Sequence, residues 1–302
     1  MHDDDVCLGI CYSGNQLFYS VNSPGSISAV KHIGAYDFNF NVQQAVVHGE
    51  GDSFSGIKNS IRELKERFEC RSIRILSPAT EECRTLLPRS VYEDTGERES
   101  HIRTLMPDVD RSKLDVTWYS LSNPDQRLLL IRNSDTMKGF RQLLGDVENA
   151  EYSADFELGS EWQKHTNISG SFLHVHCGRT YISVSSFLLG KLRGSTIIRF
   201  ENPSDLPYLW KLFSSRQSWM SGIHEQIYFF GYNAPEIRDT ITPYWDDTGE
   251  YVIMNTLKSM QVSAPEKTYG FRLERAFPAI LMSLNYDNKR TDPEYEDHNR
   301  NA

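Results

Sequence analysis

The sequence predicts a mixed α/β protein of two similar lobes, each a mixed sheet flanked by helices. Three observations carry that expectation. The chain has 302 residues, 39% hydrophobic and 12% aromatic, enough apolar material for two packed cores. The order strand, strand, strand, helix, strand occurs twice, starting at residues 6 and 172. Each copy also contains an amphipathic helix able to cover one face of its sheet.

The elements follow in order. VCLGICY (6–12) alternates enough for a half-buried strand. Ser13-Gly14-Asn15 is turn chemistry, because Gly and Asn tolerate positive φ. QLFYSV (16–21) pairs back, and after Ser-Pro-Gly-Ser the stretch ISAVKHIGAY (27–36) makes a third strand. Ser53 is the expected N-cap of a helix whose Phe54, Ile57, Ile61, Leu64 and Phe68 recur at spacings of three and four. Lys58, Glu63, Lys65 and Glu66 take its wet face. SIRILSP (72–78) reads as a short buried strand closed by proline.

Residues 89–133 read as an insertion. It holds a polar helix within 90–106 and a hairpin, TWYSL with RLLLIRN, around Ser122-Asn123-Pro124-Asp125. Asp135 starts a helix with Met137, Phe140, Leu143 and Leu144 on one side, stopped by Gly145. HTNISGS (165–171) is polar and glycine-bearing, so the lobes are expected to divide near 168, into 1–168 and 169–285.

The second copy begins with FLHVHC (172–177), turns at Gly178-Arg179, returns as TYISV and continues as STIIRF (195–200). Ser204 is the expected cap of a helix with Leu206, Leu209, Trp210 and Phe213 inward. Pro207 is tolerated in its first turn. QIYFFGYN (226–233) is an aromatic strand, and LERAFPAILMSLN (273–285) a helix expected to kink at Pro278. Residues 286–302 have no apolar period and are expected to form a disordered tail.

The formal charge of −9 disfavours nucleic acid. The densest basic run, RELKERFECRSIR (62–74), interleaves glutamates and reads as a solvated helix face. No run approaches 18 apolar residues, so no membrane insertion is expected. The acidic MHDDD start is unlike a secretory leader. Five cysteines (Cys7, Cys11, Cys70, Cys83 and Cys177) form no CxxC pair and fit reduced, mostly buried thiols in a cytoplasmic protein.

These patterns carry a resemblance. The stretches SIRILSPATEECRTLLPRSVYED, STIIRFENPSDLPYLWKLF and QIYFFGYNAPEIRDTI, with the duplicated meander, resemble the actin-like ATPase superfamily, which shares its core with ribonuclease H. More narrowly, residues 6–284 look like domain-of-unknown-function family 3822, distantly related to pilus-assembly ATPase homologues. The resemblance implies two ribonuclease-H-like lobes facing a cleft.

Active members of that superfamily carry Asp-x-Gly in both opening hairpins. The turn amides hold phosphates, and the acids position Mg²⁺ and water. Here the first hairpin, ICYSGNQL, has Cys11 or Tyr12 in the acid's place. The second, HVHCGRTY, has His176-Cys177-Gly178 in the Asp-x-Gly frame. The later glycine pair is reduced to Gly231, followed by Tyr232. Ser13, Gly14, Asn15, Gly178, Arg179, Thr180 and Gly231 are therefore candidate remnants of phosphate-binding turns. His174 and His176, two apart on a strand, share a face and are the candidate metal pair, with no third ligand in sight. Asp246-Asp247 reads as turn chemistry rather than paired catalytic acids. There is no GxSxG, HExxH or Walker loop. The reading is a non-catalytic actin-like protein without cofactor, acting through a protein partner or as a homo-oligomer. The alternative is an ATP-binding homologue with a degenerate phosphate site.

Overall fold

The computed structural model describes residues 6–144, 149–222, 224–245, 249–265 and 269–284. The expected tail, the Gly145 helix stop and Asp246-Asp247 lie outside the described residues. The chain opens with β1 (Cys7–Ser13), β2 (Gln16–Asn22), β3 (Val30–Asp37), α1 (Val42–His48), α2 (Gly51–Phe68) and β4 (Ser72–Leu76). An inserted block follows: β5 (Glu82–Pro88), α3 (Arg89–Glu93), α4 (Thr95–Leu105), β6 (Leu114–Ser120) and β7 (Gln126–Asn133). Next come α5 (Ser134–Leu144), β8 (Asn149–Ser153), a 3₁₀ turn (Asp155–Glu157) and α6 (Leu158–Thr166). The second half contains β9 (Ser171–Cys177), β10 (Tyr181–Leu188), β11 (Lys191–Arg199), α7 (Leu206–Arg216), β12 (Gln226–Gly231), α8 (Ala234–Ile241), β13 (Glu250–Ile253) and α9 (Phe277–Ser283).

Two five-stranded sheets result, ordered β3-β2-β1-β4-β8 and β11-β10-β9-β12-β13. In the first, β1–β2 and β2–β3 are antiparallel, β1–β4 and β4–β8 parallel. The second repeats this pattern strand for strand. The inserted strands form a separate antiparallel sheet, β5-β7-β6.

Side-chain alternation explains the layers. Leu8 and Ile10 of β1 face Val42, Val46, Ile57, Ile61 and Leu64 of α1 and α2. Leu173, Val175 and Cys177 of β9 face Leu206, Trp210 and Ile237 of α7 and α8. The opposite faces meet in a central core with Phe172, Trp162 of α6 and Phe277 of α9. Helix α9, although last in the chain, packs on β1 and β2 of the first sheet. Gly9 permits this, since a Cβ there would lie 2.7 Å from the Ser283 nitrogen and closer still to the Ala279 carbonyl.

Several local expectations are corrected. Helix α2 begins at Gly51, so Ser53 lies in its first turn and Glu50 stands at the cap without a side-chain bond. Ser204 is no cap. It sits in a 3₁₀ turn (Pro203–Asp205) whose cap is Asn202, and α7 starts at Leu206. Pro278 does not kink a helix, because α9 starts at Phe277 and the proline occupies the first turn, where its missing N–H has no partner to lose. β11 starts at Lys191 rather than near Ser195, because Leu189 (φ 49°) and Gly190 (φ 79°) make a two-residue hairpin turn.

Candidate functional site

The two opening hairpins point into one cleft. Ser13, Gly14, Gly178, Arg179, Thr180 and Gly231 all line a single cavity of about 280 Å³. Asn15 does not reach it. Its Nδ2 donates to the Phe38 carbonyl at 3.1 Å, beside a shallow neighbouring depression. The gathering follows from the topology: β1 and β9 occupy the same place in their sheets, so their turns leave from the same ends.

Each glycine has a local reason. Gly14 takes φ 63° in the first turn, and a Cβ there would lie 2.8 Å from Nη2 of Arg179. The guanidinium of the second hairpin thus lies over the first turn. The Gly178 amide donates to the Tyr181 carbonyl at 2.8 Å, and the Tyr181 ring fills the space a Cβ would need. Gly231 takes φ 97° at the end of β12, and the next amide, Tyr232, donates to the Cys177 carbonyl at 2.6 Å.

The cavity's charge is cationic. No carboxylate lines it among the described residues, whereas Arg179 and Arg275 both do. They flank the Tyr232 ring, 5.1 and 4.7 Å from its centroid. Arg275 donates from Nη1 to Oε1 of Gln16 at 3.2 Å, while its Nε is buried without a partner among the described residues. The Tyr12 hydroxyl is likewise buried without a partner among the described residues, and burial pushes its pKa well up.

His174 and His176 do share a face, but they do not form a chelating pair in one pocket. His174 is 2% exposed and caged by aromatic rings, with Phe172, Phe230 and Tyr228 at 5.3, 5.4 and 5.6 Å. Neither of its ring nitrogens has a partner among the described residues, and burial pushes its pKa down to about 3. His176 is turned to the cleft, stacked on Phe230 at 5.2 Å, with Nδ1 2.9 Å from Oδ2 of Asp155. No group of three or more His, Cys, Asp or Glu suited to a metal occurs among the described residues.

Behind the cleft lies a cluster that the sequence reading missed. Glu82 and Arg84 of β5, Arg132 of β7 and Asp155 form a buried ionic network. The Arg84 side chain is fully buried and stacks 4.8 Å from the Phe156 centroid. It pairs with Glu82 and, at 2.8 Å, with Asp155. Burial alone would raise the Asp155 carboxyl, but Arg84 and the His176 hydrogen bond outweigh it and hold the group well below the usual carboxylate range. Burial is likewise overridden at Glu82 by Arg84 and Arg132, and its pKa is lowered. The signal was present in the sequence: Glu82 and Arg84 stand two apart on a strand, and Arg132 follows LLLI directly.

The architecture is the actin-like ATPase fold, with two lobes. The chain is similar to a chain in the structure of the PilM–PilN type IV pilus biogenesis complex, with TM-score 0.62, 11% identity, and coverage of 92% of this chain and 97% of that one. It is also similar to a protein of unknown function with an actin-like ATPase fold from Bacteroides thetaiotaomicron VPI-5482, at TM-score 0.48 and 13% identity, covering 84% of this chain and 92% of that one. No family model matches the chain, and no curated protein matches it.

Proposed function

We propose that this is a non-catalytic actin-like protein of the cytoplasm that works by binding other proteins, as an assembly or regulatory module. The observation that carries the reading is the cleft lining: arginines, glycines and a histidine, with no carboxylate among the described residues. Mg²⁺ takes oxygen ligands and keeps a hydration shell that carboxylates anchor, and phosphoryl transfer depends on that ion. The similarity to a chain in the PilM–PilN complex supports a protein partner. Self-association is the competing form of the same idea. The matching strand patterns support an internal duplication with a lobe boundary near residue 168. The patterns of residues 72–94, 195–213 and 226–241 support membership of domain-of-unknown-function family 3822.

The test is a melting titration with Mg-ATP. A ligand at 100 times its Kd would add about 2.7 kcal/mol of stability. We expect no shift and no phosphate release at millimolar Mg-ATP. Co-purification from the native cell should yield a stoichiometric protein partner, and a chain recovered alone and monomeric would count against the reading. A second reading, a nucleotide or other oxyanion held without hydrolysis, is favoured by Arg179 and Arg275, which make no ion pair among the described residues. A melting shift with ATP that Arg179→Gln removes would establish it.

A further inference from the structure

We propose that the inserted sheet β5-β7-β6 is a strap that bolts the two lobes together behind the cleft. The insertion leaves the first lobe after β4 and returns to it at α5, yet much of what it bonds to belongs to the second lobe. Arg84 Nη1 donates to Oγ of Ser183 (β10) at 2.8 Å and of Ser195 (β11) at 3.0 Å. Ser183 also donates to Oδ1 of Asp155 at 3.0 Å. From the far side, Arg199 of β11 donates through Nη2 to the Thr80 carbonyl at 2.9 Å and the Glu82 carbonyl at 3.3 Å. The backbone is engaged as well, for the Ser122 amide in the β6–β7 turn donates to the Leu192 carbonyl at 2.7 Å. On the first-lobe side, Arg132 bonds Ser77, which also donates to the Ser153 carbonyl, and Tyr119 donates to Glu157 at 3.2 Å.

The physical argument concerns what separation would leave behind. A buried guanidinium is tolerated only when its donors are met and its charge is paired. Arg84 meets its charge within the strap and at Asp155, but both acceptors of Nη1 lie on the second lobe. Rotating the lobes apart strips that nitrogen of both acceptors in a site of low dielectric, and it draws His176 and Ser183 away from Asp155. The satisfied state exists at one interlobe angle. The cleft therefore presents a fixed shape to its partner.

Two cysteines report on the cleft. Cys11 of β1 and Cys177 of β9 line it, one from each lobe, and are 2% and 1% exposed. Cys7 and Cys70, 4% exposed each, lie away from it and serve as internal controls. The experiment is native-state alkylation with iodoacetamide, read cysteine by cysteine by mass spectrometry, on the full chain. Two variants cut the strap without leaving a charge unpaired: Arg199→Gln, at an exposed residue, and Ser183→Ala with Ser195→Ala. In the unaltered chain Cys11 and Cys177 should label as slowly as Cys7 and Cys70. In both variants their labelling should accelerate at least about tenfold, the cost of lost hydrogen bonds to a charged group, with Cys7 and Cys70 unchanged. Labelling of Cys11 and Cys177 that stays slow in both variants overturns the proposal. So does fast labelling of that pair in the unaltered chain, or an equal acceleration at all four cysteines, which would mean global loosening rather than cleft opening.

Discussion

Replacing His174 with leucine should remove a large part of the acid sensitivity of folding. The imidazole is 2% exposed, caged by aromatic rings, and neither nitrogen has a partner among the described residues. Burial lowers its pKa from 6.5 to about 3. The native state therefore resists protonation while the unfolded chain accepts it, so stability rises with pH wherever the unfolded state binds more protons. The contribution is fully present above the unfolded value of 6.5 and is lost as pH falls from there toward the folded value of about 3. Linkage between those two values gives a loss of about 2 kcal/mol between pH 7 and pH 5, and about 3 kcal/mol by pH 4. The assay is urea unfolding of both chains at pH 7, 5 and 4. The difference between them cancels the other histidines, and the leucine chain should gain about 2 kcal/mol relative to the parent at pH 5. A stability difference that stays flat from pH 7 to pH 4 would refute the reasoning, because His174 would then titrate alike in both states.

Leu64→Asp places a charge at a fully buried position of α2 and should cost several kcal/mol, enough to leave the chain insoluble or unfolded by circular dichroism. Gly9→Ala should destabilise by about 1–3 kcal/mol or more, because the new methyl meets the α9 backbone, whereas Gly56→Ala in α2, with nothing within 4 Å of the new methyl, should show no such loss in the same melt. Arg84→Met leaves Asp155 and Glu82 without their nearest cation and should cost about 3–5 kcal/mol in urea unfolding at pH 7. Because both carboxyls are held below their ordinary values, that penalty should shrink as pH falls below about 4, where the unfolded chain takes up their protons.

Much of the fold was legible because the strands and helices that build the sheets are periodic. The stripe from Phe54 to Leu64 and the alternation of Leu173, Val175 and Cys177 both lie where their periods place them. Boundaries were less legible, since capping is decided by local hydrogen bonds that several neighbours can make. Asn202 rather than Ser204 wins one cap, and α2 starts ahead of Ser53 with no side-chain cap. Short or polar elements escaped altogether. Helix α1 has seven residues, and β8 reads NAEYS; both are held by packing and pairing with neighbours rather than by propensity.

The cleft divides in the same way. From sequence alone came the two turn-bearing hairpins, the missing acids in them and the face shared by His174 and His176, because each depends on residues within a few positions of one another. Only the tertiary structure decided that Arg179 lies over Gly14, that Arg275 reaches both Tyr232 and, at the other end of the chain, Gln16, and that His174 is sealed while His176 meets Asp155. It alone placed Arg84 of the insertion against Ser183 and Ser195. Those pairs lie far apart in sequence, and no local period encodes them. They form because two sheets of the same topology, set face to face around one core, bring equivalent strand ends together, and a buried charge then has one place where all its donors are met.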